Sequence, residues 1–382
     1  MHFTYQSLDP VPVSRPAAKH CRGQRTFQGI PSIGRSPGGR LFAVWYAGGS
    51  GEGENNYTLL QISDDEGQSW SGPVAVVDPP HPLVRAFDST LWLDPAGKMH
   101  WFWSQCCADP EGAGSGRIYD GLGGVWHSVL ENPEAAPAEF QFSWPERVSH
   151  GIMMNKPLVL RAGTWCLPVS LWTGQQYRRH PSLAIQPGAS MVVSEDQGRS
   201  FSIRGRIEMS QIEGGASYDE HLFLERQDGT LQALLRVQQG VAEAFSNNQG
   251  CTWTAPVLST AVTGPSSRFF CQRLPSGRLL LVYHDLHASN RQRERLTAYL
   301  SEDEGLSWPW SLLLDERSAV SYPDAVFTAD GQIYVIYDHE RYRGGEILLA
   351  RFREQDILAG RLLSSGSALR QEVDHTCPVP GK

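Results

Sequence analysis

The chain has 382 residues, of which 19% are charged, and its net charge of −8 comes without any basic run. This charge pattern argues against a nucleic-acid-binding protein. The 38 Gly, 25 Pro and 12 Trp residues are typical of short strands joined by tight turns. No segment keeps an apolar helical period over several turns, so we expect an all-β protein.

The N-terminal segment, MHFTYQSLDPVPVSRP, lacks the basic and apolar regions of a secretory signal. No apolar run along the chain is long enough to span a bilayer. The seven cysteines are odd in number and scattered, which favours reduced thiols over a disulfide framework. We therefore expect a cytoplasmic protein without membrane association, although removal of a signal peptide from a precursor would leave the same sequence.

Six copies of one hairpin follow each other along the chain. Each copy is a short apolar strand, a turn containing glycine and a second apolar strand. The copies are IPSIGRSPGGRLFAVWY from Ile30, DSTLWLDPAGKMHWFWSQ from Asp88, KPLVLRAGTWCLPVSLW from Lys156, EHLFLERQDGTLQALLR from Glu220, SRFFCQRLPSGRLLLVYHD from Ser267 and YPDAVFTADGQIYVIYD from Tyr322. Their starts lie 47 to 68 residues apart, close to the length of a four-stranded blade, and so predict a six-bladed β-propeller.

A second repeated element follows the third strand of several units. Its copies are SDDEGQSW from Ser63, SEDQGRSF from Ser194, SNNQGCTW from Ser246 and SEDEGLSW from Ser301, with a degenerate copy ending at Trp144. The Asp or Asn and the hydroxyl groups can bond to backbone groups inside a tight turn, while Gly supplies a positive φ and the aromatic ring packs between sheets. We interpret these carboxylates as structural.

This element is similar to the Asp box, and the chain resembles the sialidase (neuraminidase) superfamily of six-bladed propellers with BNR repeats. The resemblance extends from about residue 25 to about residue 355. It implies a single propeller domain over residues 1–382, with the N-terminal 24 residues closing the last blade and an irregular tail after about residue 365.

Strands alternate in direction within a blade, so the starts of first strands and the ends of second strands reach the same face. The third strands end on the opposite face, where the Asp boxes are expected. Charged and polar residues occupy many positions on the first face: Asp88, Lys156, Glu220, His221, Arg236, Arg268 and Tyr322. Apolar or turn residues would suffice for packing, so we predict a binding pocket in the central funnel.

The sialidase resemblance implies roles for three of these positions and for Arg293. That family uses a tyrosine nucleophile assisted by a glutamate, an acidic general acid/base and three arginines that bind the substrate carboxylate. The glutamate and the second arginine bracket one hairpin, which Glu220 and Arg236 match. The third arginine precedes a third strand, as does Arg293, and Tyr322 follows it by 29 residues as the proposed nucleophile.

Two positions depart from the family pattern. Its first arginine directly precedes the Ile-Pro of the first hairpin, where this chain has Gly29. The acid/base is usually an Asp, but the corresponding loop, GGSGEGENNYTLL, contains no Asp and offers Glu52 or Glu54. Arg268 and Lys156 are the cations expected to compensate for the missing arginine.

The chemistry explains why such a site would use a phenol. A sialoside carries a carboxylate on its anomeric carbon, which would repel an anionic Asp or Glu nucleophile. A neutral phenol avoids this repulsion, but its ordinary pKa of about 10 requires a neighbouring base. Arginine suits the carboxylate because its planar fork binds both oxygens together.

The sequence thus predicts a retaining, sialidase-like exo-glycosidase that removes a terminal acidic sugar from a glycan. The predicted catalytic residues are Tyr322, Glu220 and Glu52, and the predicted substrate-binding residues are Arg236, Arg293, Arg268, Lys156, Asp88 and His221. One alternative is a hydrolase or lyase acting on another acidic sugar, such as a uronate or rhamnosyl-uronate. Another is a non-catalytic glycan-binding propeller. No motif for a cofactor or metal is found.

Overall fold

A computed structural model describes residues 5–107, 121–172, 183, 188–212, 220–286 and 292–376. Nearly all of its regular structure is β. Six antiparallel sheets follow one another in chain order, and each is one blade built from a contiguous segment. The predicted all-β, six-bladed propeller with Asp-box turns is confirmed, and each predicted hairpin forms the first two strands of a blade, apart from a short extra strand in the third.

The strands are numbered in chain order. The first three blades contain β1 (Gln28–Arg35), β2 (Leu41–Ala47), β3 (Tyr57–Ser63) and β4 (Ala75–Val77); β5 (Val84–Leu93), β6 (Met99–Cys107), β7 (Gly124–Leu130) and β8 (Glu146–Ser149); and β9 (Ile152–Met153), β10 (Leu158–Val159), β11 (Trp165–Leu171), β12 (Gly188–Ser194) and β13 (Ser202–Ile207). The last three contain β14 (His221–Glu225), β15 (Leu231–Val237), β16 (Gly240–Ser246) and β17 (Val257–Leu258); β18 (Phe270–Arg273), β19 (Leu279–Tyr283), β20 (Glu294–Ser301) and β21 (Trp310–Ser318); and β22 (Val320–Phe327), β23 (Gln332–His339), β24 (Glu346–Arg353) and β25 (Ala368–Asp374).

Helical structure is limited to short segments. The α-helix α1 (Glu354–Ala359) begins where the Asp356 carboxylate accepts the backbone N–H of Arg353, and it ends at Gly360 in the left-handed conformation. Short 3₁₀ segments span Tyr5–Leu8, Ala18–His20, Arg22–Gln24, Pro137–Glu139 and Met209–Gln211. Within the described ranges, no helix combines the length and apolar character needed to cross a membrane.

The hydrophobic core lies between neighbouring blades, because each blade's sheet packs against the next blade on either face. The second strand of the first blade, LFAVWYA, is buried along its whole length, and its Trp45 packs with Tyr334 and Ile336 of the last blade. Such continuous apolar runs are expected for strands buried on both faces.

Closure of the ring corrects two expectations from the sequence. The fourth strand of the last blade is β25, so residues after about 365 are not all irregular and the N-terminal segment does not close that blade. The N-terminal segment instead bridges to the first blade through Ser14 and Val76. The ends meet where the buried Asp374 carboxylate accepts hydrogen bonds from Arg25 and Gln28. These charge-assisted hydrogen bonds attach β25 to the segment before the first blade, although no backbone ladder joins β25 to that blade.

The Asp boxes are hydrogen-bonded turns. In the first copy, Asp65 accepts the Ser69 backbone N–H at 2.9 Å and the Ser69 hydroxyl at 2.6 Å, while Ser63 Oγ accepts the Gly67 N–H at 2.9 Å. The other three copies repeat this pattern around Asp196, Asn248 and Asp303. The degenerate copy lacks the packing role expected for its aromatic ring, because Trp144 is 64% exposed.

These turns predict a specific dependence of stability on acid. Hydrogen bonds from Ser69 and Ser200 lower the pKa of Asp65 and of Asp196 to about 2. A carboxyl group with a lowered pKa stabilises the fold above its ordinary pKa near 4, and this stabilisation is lost as the pH falls through the folded value. We therefore expect the unfolding temperature of the wild type to fall more steeply between about pH 5 and about pH 2 than that of a variant with Asn at positions 65, 196 and 303.

Asn248 is the internal control for this comparison, since its box forms the same backbone bonds with an amide that does not titrate. Unfolding temperatures measured across the acid range by circular dichroism provide the test. Parallel curves for the two proteins would contradict the prediction.

Candidate active site

A solvent-open pocket of about 640 Å³ lies on the predicted face, at the centre of the ring. Its polar lining consists of the carboxylates Glu52, Asp88 and Glu220, the guanidinium groups Arg85, Arg236, Arg293 and Arg341, and the phenols Tyr46, Tyr322 and Tyr342. The structure thus brings together six of the nine predicted site residues. The pocket combines acids, cations and a possible nucleophile, which is the composition of a site for acidic ligands.

Bulges in three innermost strands shape the floor of this pocket. Ile30, Asp88 and Tyr322 each have a positive φ, of 57°, 49° and 55° respectively, and each lies where the register of its strand shifts. The left-handed conformation is unfavourable for residues other than glycine, and bulges turn side chains away from the ladder. Strain repeated at one depth in three blades indicates that the fold holds these side chains in the funnel.

Tyr322, Glu220 and Arg236 form one hydrogen-bonded cluster. Arg236 Nη1 donates to Glu220 Oε1 at 2.6 Å and to the Tyr322 hydroxyl oxygen at 3.1 Å. The Tyr322 hydroxyl lies 3.5 Å from Glu220 Oε1, a long contact. The pairing of β14 with β15 explains half of the cluster, because the Arg236 backbone N–H donates to the Glu220 carbonyl across the hairpin.

The second carboxylate oxygen of Glu220 is available for chemistry. Glu220 Oε2 is buried and has no hydrogen-bond partner in the part of the chain that the structure describes. A buried acceptor left unsatisfied is costly, so it is expected only where another role maintains it. This oxygen belongs to the carboxylate nearest the Tyr322 hydroxyl and can accept a proton from it.

Arg293 reaches the same cluster from the fifth blade. Its guanidinium donates to the Ser266 carbonyl at 2.9 Å, while the Ser266 hydroxyl accepts a bond from Arg236 Nε at 3.1 Å. The guanidinium carbon of Arg293 lies 5.2 Å from the centre of the Tyr322 ring. The loop at Ser266 therefore fixes two cations beside the phenol.

Glu52, rather than Glu54, lines the pocket. Glu52 Oε1 accepts a hydrogen bond from Arg341 Nη1 at 3.0 Å and another from the Tyr342 hydroxyl at 2.8 Å. Glu54 is exposed and is not part of the lining. Of the two carboxyl groups that the loop offers, only Glu52 is placed to exchange a proton with a bound ligand.

Asp88 lies in the pocket wall and is 3% exposed. Burial raises the pKa of its carboxyl group to about 8; Arg85 lowers it, and the carboxylates Glu220 and Glu52 raise it. The side chain is therefore mainly neutral at pH 7 and becomes an additional negative charge in the pocket at higher pH.

This titration predicts how the affinity for an anionic sugar changes with pH. Affinity should fall several-fold as the pH rises through about 8, because ionised Asp88 repels the ligand. In Asp88→Asn the decrease should be absent. Calorimetric titration with N-acetylneuraminic acid from about pH 6 to about pH 9 measures the effect. The same pH profile in both proteins would be inconsistent with this role for Asp88.

Three residues predicted to bind substrate lie elsewhere. Lys156 and Arg268 are both buried beneath the pocket, where they pair with Asp324 at 2.7 Å and 3.6 Å. His221 is also buried, with its ring nitrogens bonded to Ser170 and to the Ser190 carbonyl. None of the three belongs to the lining of the central pocket. The expectation that Lys156 and Arg268 compensate for a missing arginine is thus wrong, since both side chains pair with Asp324 and neither lines the pocket.

Arg341 places a guanidinium group in this part of the pocket, and the sequence reasoning missed it. A Cβ atom placed on Gly29 would lie 3.0 Å from the Arg341 Cβ, so Arg341 occupies the space of a side chain at position 29. Its guanidinium lines the pocket, and the guanidinium carbon lies 4.3 Å from the centre of the Tyr322 ring. Arg341 lies two residues beyond the end of β23, a second-strand end on the funnel face, which is the signal that could have identified it.

The fold and the pocket together define a class: a six-bladed propeller with Asp-box turns and an arginine-rich central pocket that contains a Tyr–Glu pair. The chain belongs to the family described as BNR repeat-like domain, whose model matches residues 38–335. No curated protein matches its sequence.

Solved sialidase structures share the fold at low sequence identity. A Hadza microbial sialidase is 16% identical with a TM-score of 0.67, covering 90% of this chain and 68% of that one. The intramolecular trans-sialidase from Ruminococcus gnavus is 13% identical with a TM-score of 0.59, covering 88% and 96%. The leech intramolecular trans-sialidase is 13% identical with a TM-score of 0.63, covering 92% and 71%. These likenesses concern the fold, and the chemistry must be argued from the pocket.

Proposed function

We propose that the protein is a retaining exo-glycosidase that releases a terminal acidic sugar, of the sialic acid type, from a glycan. The observation that carries this proposal is the cluster of Tyr322, Glu220 and Arg236 at the bottom of a pocket lined by further arginines. A phenol beside a carboxylate can act as a nucleophile with its own base. The surrounding guanidinium groups suit a substrate that carries a carboxylate.

In the first step, Glu220 accepts the proton of Tyr322 while the phenol oxygen forms a bond to the anomeric carbon. Glu52 donates a proton to the departing glycosidic oxygen, whose bond to that carbon breaks. In the second step, Glu52 takes a proton from water, which attacks the anomeric carbon, and Glu220 returns its proton to the departing Tyr322 oxygen. Two displacements at one carbon give net retention.

Glu52 must carry a proton to begin this sequence, yet it is paired with Arg341. A substrate carboxylate binding to Arg341, with Arg236 and Arg293, would compete with Glu52 for that guanidinium. With its ion pair to Arg341 weakened, Glu52 would take up the proton that it later donates. In this mechanism, substrate binding and protonation of Glu52 therefore occur together.

The non-catalytic alternative is disfavoured by the orphan oxygen Glu220 Oε2 and by the strained backbone of Tyr322, since a pocket that only binds sugar needs neither. A lyase acting on a uronate uses a similar set of groups, but it requires an ionised base beside the acidic C–H of the sugar. It would release an unsaturated product that absorbs ultraviolet light.

Incubation with an aryl sialoside, followed by nuclear magnetic resonance of the released sugar, tests the proposal. We expect turnover with the α-anomer formed first, and a fluorinated sialosyl fluoride should leave a covalent adduct on the peptide that contains Tyr322. Sugar binding without turnover or adduct would instead establish a glycan-binding propeller. An ultraviolet-absorbing product from a uronate substrate would establish a lyase.

A further inference from the structure

The four arginines of the pocket differ in how their charges are neutralised. Arg236 pairs with Glu220, and Arg341 pairs with Glu52 and, at 3.5 Å, with Asp338. Arg293 donates to a backbone carbonyl. Arg85 is different from all of these. Over the described ranges, no hydrogen bond or ion pair joins its side chain to another residue.

Arg85 is nonetheless held firmly in the pocket wall. The residue is 7% exposed, and its buried Nε atom has no hydrogen-bond partner among the described residues. Its guanidinium carbon lies 4.0 Å from the centre of the Phe87 ring and 5.5 Å from that of Tyr46. Ring contacts of this kind position a guanidinium and offset only part of the cost of burying its charge. Asp88 is near enough for its pKa to be lowered by Arg85, but the two side chains form no ion pair. A buried guanidinium without an ion-pair partner among the described residues, lining a pocket, indicates that a ligand supplies the anion.

Arg85 reaches the pocket from the opposite side to Arg293. Arg85 lies on β5 of the second blade, whereas Arg293 immediately precedes β20 of the fifth blade. The blades follow one another around the ring, so the second and fifth blades of six face each other across the centre. Arg85 is thus placed to bind a different group from the one beside Arg293 and Tyr322.

The pairing of charges in the pocket agrees with this separation. The carboxylates of Glu220 and Glu52 are paired with Arg236 and Arg341, so neither forms an ion pair with Arg85. A sugar carboxylate bound beside Arg293 and Tyr322 would still leave Arg85, on the other side of the pocket, without an anion.

We propose that Arg85 binds a second oxyanion of the substrate, a sulfate ester or carboxylate additional to the one at the anomeric carbon. This inference rests on the proposed function, because it assumes that the first carboxylate binds beside Tyr322. The preferred substrate is then a doubly charged acidic sugar or a sugar linked to another acidic residue. Arg85 determines this specificity and takes no part in bond cleavage.

Calorimetric titration of the full chain with three probes tests the proposal. The probes are N-acetylneuraminic acid, its derivative sulfated on a ring hydroxyl, and a disaccharide of two sialic acids. We expect at least one doubly charged probe to bind about tenfold or more tightly than the singly charged one. The sulfated sugar places the second charge on the same ring, and the disaccharide places it on the leaving group, so the tighter probe identifies the source.

In Arg85→Gln the preference should disappear, and affinity for N-acetylneuraminic acid should fall much less than affinity for the preferred doubly charged probe. Arg351→Gln is the matched control, because it removes a buried arginine that pairs with Glu66 away from the pocket and changes net charge equally. A structural role for Arg85 would make Arg85→Met unfold at a lower temperature. The proposal expects an equal or higher temperature, since an uncompensated buried charge is removed.

Equal affinity of the wild type for all three probes would overturn the inference about Arg85. An equal loss for all probes in Arg85→Gln would overturn it as well. Turnover of the aryl sialoside in the same preparation would then show that the proposed function survives. If no probe binds and no turnover occurs, both proposals fail.

Discussion

Tyr322→Phe is expected to lower kcat/KM for an aryl sialoside by at least about a thousandfold. The variant loses the hydroxyl oxygen that accepts a hydrogen bond from Arg236 and lies near Glu220, while its ring keeps the contacts with Arg293 and Arg341. Affinity for N-acetylneuraminic acid should therefore stay within a few-fold of the wild type. Initial rates and calorimetric titration measure the two quantities separately.

Tyr337→Phe is the matched control for this variant. Tyr337 lies on β23 of the same blade, and its buried hydroxyl donates to Asp315 at 3.0 Å, away from the pocket. Loss of this hydroxyl group should lower the free energy of unfolding by about 1 kcal/mol and leave kcat/KM for the aryl sialoside unchanged. Full activity of Tyr322→Phe would eliminate the proposed nucleophile, whatever the control shows.

The second large effect is expected at Asp324, beneath the pocket. Its carboxylate pairs with Lys156 and Arg268, and it accepts hydrogen bonds from the Ser32 hydroxyl and from the Ile33 backbone N–H. Asp324 is completely buried and thereby joins four blades at the axis of the ring. Asp324→Asn would leave two cations without a counter-ion, so we expect the free energy of unfolding to fall by about 3–5 kcal/mol.

Denaturant titration of this variant can be compared with that of Asp64→Asn. Asp64 is exposed and pairs with Arg40 at 2.6 Å, and loss of such a surface pair costs at most about 1 kcal/mol. Adding Lys156→Met to Asp324→Asn should recover part of the loss, because one uncompensated cation is removed. If the free energy of unfolding fell by a similar, small amount in Asp324→Asn and Asp64→Asn, the buried Asp324 carboxylate would not be important for stability.

The sequence predicted the parts of this site that follow from strand pairing. Glu220 and Arg236 bracket one hairpin, and antiparallel pairing brings the ends of a hairpin together. The Asp boxes are equally local, because every bond in them joins residues within a few positions of each other. The position of Tyr322 could be predicted only with the help of the repeat. The number of blades shows that the start of the sixth hairpin and the start of the fourth both face the central funnel.

Other parts of the site depend on directions that strand patterns do not encode. Lys156 and Arg268 occupy the expected strand starts, but their side chains point beneath the pocket toward Asp324. Arg341 enters from a loop after a second strand, and it can do so only because Gly29 of the first blade has no side chain. Bulges alter the direction of Asp88 and Tyr322, and no turn signal in the sequence marks them.

Closure of the ring has a consequence for the evolution and engineering of this chain. Every blade is an unbroken stretch of sequence, so the first and last blades meet through side-chain packing and the Asp374 contacts rather than through a shared sheet. New chain ends placed between any two blades would therefore cut no sheet. Circularly permuted versions should assemble the same pocket, provided that the original termini are joined by a linker.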